Sequence, residues 1–123
     1  MIIIDDLSFD IPVLSIRRKA DFLDKFAERT ADGKLHRELI GVYKNYQIQL
    51  GTTTDMEEYQ RLWNKLTEAV EFHTVTVPDF EGSSYTFSAY FSNVGDELRK
   101  VKNGQSFWRD LTVNFIARIP AAT

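Results

Sequence analysis

Hydrophobic and polar residues alternate with a period of two along most of this chain, and only one stretch switches to the helical period. Near the start, Leu7, Phe9 and Ile11 oppose Asp6, Ser8 and Asp10, the alternation of a half-buried strand that ends at Pro12. A long apolar and charged segment from Val13 to Thr30 follows, then the turn residues Ala31-Asp32-Gly33-Lys34. The chain returns through Leu35–Leu50, with Ile40, Val42, Tyr46, Ile48 and Leu50 on one parity. Asp-Gly between two such segments predicts a β-hairpin, because both residues accept a left-handed backbone. A two-residue turn at Asp32-Gly33 would pair Glu28 with Arg37, Leu23 with Val42 and Phe22 with Tyr43.

Two readings of residues 20–28 stand side by side. As a helix, Ala20, Leu23, Phe26 and Ala27 would share one side. As a strand, the segment would complete the hairpin, and the turn chemistry and paired arms favour this. The arms would then far exceed the usual strand of roughly 5–6 residues, with a charged outer half projecting beyond the core.

The helical period appears after Thr52-Thr53-Thr54-Asp55, where Tyr59, Leu62, Trp63, Leu66 and Val70 form one apolar stripe. Thr54 with Glu57, or Asp55 with Glu58, fits a capping box, and Trp63 is the expected anchor against the sheet. Three more strands are expected, over Phe72–Val77, Ser84–Ser92 and Trp108–Ile119, with a tight turn at Asn103-Gly104. Val94–Val101 reads either as a continuing strand or as a short surface element. The fold class is therefore mainly β with one α-helix: a β-sandwich or partly open barrel flanked by a single helix, with a long β-hairpin.

Composition narrows the function classes. At 123 residues the chain holds one domain, 1–123, and its 43% apolar content, with nine Phe, supports a packed core. Net charge is −3, which does not point to nucleic acid. Cysteine is absent, so no thiol serves as nucleophile, redox centre or zinc ligand. Met1-Ile2-Ile3-Ile4 runs straight into Asp5-Asp6, unlike a signal peptide, and no apolar run approaches the roughly 20 residues of a membrane span.

Chemistry is sparse. His36 and His73 lack the partners of a zinc site or a catalytic triad; His36 reads as a solvated surface residue and His73 as a partly buried structural one. The pairs Asp5-Asp6, Glu57-Glu58 and Asp96-Glu97 each have a structural reason to exist, and Arg17-Arg18-Lys19 reads as a solvated strand edge. The expectation is a protein that is not an enzyme, with no catalytic, metal or cofactor-binding residues. Exposed aromatics are the other candidates. Tyr43, Tyr90 and Trp108 would serve a small carbohydrate- or host-protein-binding module, beside hydrogen-bonding residues such as Asn45 and Gln47.

The run Ala27–Tyr43, with Glu71–Pro78 and Leu111–Ala117, resembles a small structural protein of tail-gene modules in prophages of Gram-positive bacteria. The resemblance implies a phage tail protein of the tail-tube or distal-tail kind, a helix-flanked β-sandwich whose long hairpin reaches neighbouring subunits. It implies self-association or contact with other tail proteins in a ring or stack, while the charge balance and the short apolar runs give no sign of a nucleic acid or membrane partner. The expected location is the bacterial cytoplasm during assembly and then the virion tail. On that reading Phe22, Phe26, Asp32, Gly33, Leu35 and Leu39 form a subunit interface.

Overall fold

The computed structural model describes residues 2–121; the side chain of Phe26 lies outside the described residues. Seven strands and one helix follow in the order β1 (Ile2–Ile4), β2 (Leu7–Phe9), β3 (Val13–Arg29), β4 (Leu35–Leu50), α1 (Met56–Leu66), β5 (His73–Pro78), β6 (Ser84–Lys102) and β7 (Gln105–Ala117). The strands form one antiparallel sheet in the order β2-β1-β5-β6-β7-β4-β3. The protein is mainly β with one helix, as its periodicity predicts, and all of its strands belong to one sheet that does not close.

That sheet has to curl. Its edge strands β2 and β3 are joined by Asp10–Pro12 alone, a link that spans at most about 14 Å. Laid flat, seven strands would hold the edges about 29 Å apart. The curl brings Arg18 on β3 to 3.1 Å from Asp79 at the end of β5. Inside it lie Ile4, Phe9, Ile48, Val75, Val77, Leu111, Val113 and Phe115, all buried.

Helix α1 seals this interior. Asp55 is its N-cap, accepting the Glu58 amide at 3.2 Å, so the second of the two predicted capping residues is the one used. The reciprocal half of the box is not made: Thr53 Oγ1 takes the Asp55 amide, and Glu58 instead accepts the Asp10 amide at 2.8 Å. Tyr59, Leu62 and Leu66 are the buried anchors, each contributing roughly 1.5–3 kcal/mol by burial. Trp63, the expected anchor, is half-buried beside them, and Val70 lies beyond the helix and is exposed.

Turn chemistry accounts for most departures from the predicted pattern. Asp5 and Asp6 both have positive φ, of 50° and 67°, and make a two-residue turn that pairs Ile4 with Leu7. The N-terminus is thus a hairpin whose first strand, Ile2–Ile4, the alternation alone does not reveal. The long hairpin turns differently from expectation. Only Gly33 is left-handed (φ 83°), the loop takes three residues, and Arg29 pairs with Leu35. The predicted pairs therefore move by one: Glu28 faces His36, Leu23 faces Gly41 and Phe22 faces Val42, while Asp24, between two bulges, meets Leu39. Residues 20–28 are strand. Val94–Val101 continues β6, and Asn103-Gly104 makes the expected tight turn.

Candidate assembly surface

The antiparallel pairing of β4 with β7, Tyr46 opposite Phe115 and Gln49 opposite Thr112, fixes where the long hairpins go. β7 ends at Ala117, in the row of Lys44, and β4 extends nine residues further out to Leu35, about 30 Å. At the other end, β7 begins at Gln105, six residues beyond the row of Leu50, about 20 Å. The β3–β4 and β6–β7 hairpins therefore leave the body in opposite directions as two arms. The second arm forms because Val94–Val101, which the alternation leaves open between strand and surface element, pairs with β7 as far as Lys102.

The β3–β4 arm carries the core face outward with nothing over it. Counted through bulges at Lys25 and Ile40, strand alternation places Phe22, Leu39 and Leu35 on one face, in line with Val42 and the core. Arg37 lies on that face too, 2.6 Å from Asp24 and over the Phe22 ring at 5.2 Å. Phe22, Leu35 and Leu39 are 58%, 55% and 41% exposed. Residues 35–41 of β4 pair only with β3 among the described residues, so the ribbon has two open edges and two open faces.

Of the interface positions predicted from sequence, three are thus brought together as an exposed apolar stripe. Asp32 and Gly33 are not part of it. Asp32 accepts the Thr30 hydroxyl and the Lys34 amide (3.0 Å), which hold its carboxyl below the usual range, and Gly33 supplies the left-handed turn position. Both shape the tip. Phe26 pairs with Glu38 through its backbone, and its side chain is outside the described residues.

The three aromatics expected on one surface are not together. Tyr90 pairs with Ile116 on the outer face of the sheet and is exposed, and Tyr43 lies half-buried on that face. Trp108 is on the opposite face. Asp110 adopts φ 58° and inserts an extra residue into β7, which turns Trp108 inward. There it lines a small cleft with Tyr59, Trp63 and Asp96. Tyr59 donates to Asp96 at 2.9 Å, and burial followed by that bond pushes its phenol up. Asn45 is also committed, donating to Asp21 at 2.5 Å and accepting the Ala117 amide at 2.8 Å. Gln47 remains exposed.

The most chemically dense cluster joins the N-terminal hairpin, α1 and β5. His73 is buried, stacks on Phe91 with centroids 4.6 Å apart, and has Nδ1 2.6 Å from Asp5 Oδ2. Asp5 also accepts the Thr74 amide at 2.9 Å and lies 3.2 Å from Lys65 Nζ, which reaches Glu68 at 2.9 Å. Burial raises the Asp5 pKa, but the bonds from His73, Thr74 and Lys65 outweigh it and hold the carboxyl at about 2. One ligand atom each from Asp5, Glu68 and His73 lies within 4.8 Å of the others, which is metal-ligand spacing. The Lys65 ammonium already supplies the positive charge between the two carboxylates. His73 thereby pins the first turn to β5; His36 faces Glu28 on the exposed arm.

No helix of the described residues is long and apolar enough to cross a membrane. Comparison with protein-family models, with curated proteins and with solved structures found no match to the chain.

Proposed function

We propose that the protein is a non-catalytic structural protein that joins copies of itself, or other tail proteins, through the β3–β4 arm. One observation carries the reading: the core face continues along an arm about 30 Å long as the uncovered stripe Phe22, Leu39 and Leu35. A two-stranded ribbon with both edges open is marginal in water by itself. A neighbouring subunit that covers the stripe removes that apolar surface from water and gives the ribbon a partner, while the shorter body keeps its own core. The phage-tail setting rests on the resemblance carried by residues 27–43, 71–78 and 111–117.

Light scattering over a concentration series tests the assembly role. Mass that grows with concentration, and that the triple variant F22S/L35S/L39S abolishes without changing the monomer's melting temperature, is the expected result. A wild-type chain that stays monomeric throughout, and binds no tail protein when mixed with them, contradicts it. Capsid and tail genes on either side of its own gene would support the tail setting, and a neighbourhood without them would remove it.

A further inference from the structure

The charge of the chain is distributed in two blocks. At the tip of the β6–β7 arm, Arg99, Lys100 and Lys102 are exposed; Lys100 faces Phe107 and Lys102 faces Gln105 across the hairpin, and Arg99 sits at a bulge. Among the described residues no carboxylate is within ion-pair distance of them; the ion pairs of Arg109 with Glu97 and Asp110 sit nearer the arm's base. These three positive charges belong to a chain of net charge −3, so the rest of it carries six more negative than positive charges.

That excess is also local. Residues 5–10 and 55–71 hold eight acidic side chains against Arg61 and Lys65 as the only bases. Together they make one surface, because Arg61 donates to the Ser8 carbonyl at 2.6 Å, Glu58 accepts the Asp10 amide and Lys65 pairs with Asp5. Asp10, Glu57 and Glu71 on this surface are exposed. The base of the β6–β7 arm is fixed to α1 by the Tyr59–Asp96 bond, and its tip lies six residues farther out along a strand, about 20 Å.

We infer that the basic tip of the β6–β7 arm docks on the acidic hairpin–helix surface of a second copy of this chain. This rests on the assembly reading above and adds a second contact to it, at the opposite end of the molecule. The tip and the surface it meets are different patches, so the contact is head-to-tail and propagates as a ring or an open stack. Complementary charge fixes register and speeds encounter more than it adds affinity.

A charge-swap pair tests this with the full chain. Variant one is R99E/K100E/K102E, which gives tip and helix surface like charge; variant two is D10K/E57K/E71K, which brings the surface from six excess negative charges to none. Sedimentation should show each variant associating on the order of tenfold more weakly than wild type. Mixed in equal amounts they should recover in part, because the basic tip of variant two again meets the acidic surface of variant one, and high salt should erase the recovery as the Debye length shrinks to about 3 Å at 1 M. The neutral variant R99Q/K100Q/K102Q should fall between. If both variants assemble like wild type and mixing changes nothing, the tip contact is overturned; loss of assembly in F22S/L35S/L39S would then leave the β3–β4 reading standing. If no mixture and no single chain associates, both contacts fall.

Discussion

The side-chain carbonyl of Asn45 accepts the backbone N–H of Ala117 at 2.8 Å, at the row where β7 ends; Ala121 N–H makes one further bond to the Val42 carbonyl at 2.8 Å before the β3–β4 arm goes on alone. The amide of the Asn45 side chain donates to Asp21 at 2.5 Å, so one residue ties β3, β4 and β7 together at the root of the arm. That bond, first, and Lys19, second, hold the Asp21 carboxyl below its usual range. Asn45→Ala should cost about 1–2 kcal/mol in denaturant unfolding, by removing both bonds at a half-buried site. Asn45→Asp should be the worse change at pH 7, where two carboxylates would meet, and should recover as the pH falls through the carboxylate range. Equal stability of the two variants across pH would contradict this role.

Asp5 makes the acid limb of the stability curve predictable. Its folded pKa of about 2 lies below the ordinary 3.8, so the stabilisation it provides is complete above about pH 4. It drains away as the pH falls toward about 2. Asp5→Asn keeps a residue that tolerates the left-handed turn but removes the charge facing His73 and Lys65. The variant should lose on the order of 1 kcal/mol at neutral pH, after allowance for the partial exposure of Asp5. Its stability should also change less between pH 4 and 2 than that of wild type. Parallel curves for the two proteins over that range would mean that the cluster contributes nothing through charge.

The bulge at Asp110 decides which way Trp108 faces. At φ 58° a glycine fits without strain, whereas a β-branched side chain is forced into a backbone region it avoids. Asp110→Gly should leave stability nearly unchanged and keep Trp108 fluorescence shielded. Asp110→Val should destabilise by about 1–2 kcal/mol and make the tryptophan more accessible to an external quencher. Identical quenching in all three proteins would show that the bulge does not orient Trp108.

These residues also show what the chain discloses before it folds. Period-two alternation is a local property of strands, so the core faces of β4, β6 and β7 are readable from Tyr46, Ile48, Ala89, Val113 and Phe115. Register is not local. It depends on whether Asp32 joins Gly33 in the left-handed region, and because Asp32 does not, the predicted pairs such as Glu28–Arg37 and Phe22–Tyr43 move by one residue. Trp108 turns inward for the same kind of reason, since one extra residue at Asp110 reverses the parity behind it. Hydrophobic size is a poor guide within a stripe: Tyr59 and Leu62 are buried, while the larger Trp63 is only half-buried. The Asp5–His73 contact joins residues 68 apart, and no spacing along the chain marks it. The exposed stripe Phe22, Leu35 and Leu39 was legible because an arm longer than its body cannot bury its own apolar residues.

Hydrogen exchange of the arm amides tests the central claim, that the β3–β4 arm is a contact element waiting for a neighbour. In dilute solution, residues 22–29 and 35–41 should exchange quickly while β5 and the inner part of β7 stay protected. At concentrations where the protein assembles, the arm should become protected too, and F22S/L35S/L39S should lack that gain. Arm amides that exchange as slowly as β5 in the dilute monomer, and no more slowly at high concentration, would contradict it.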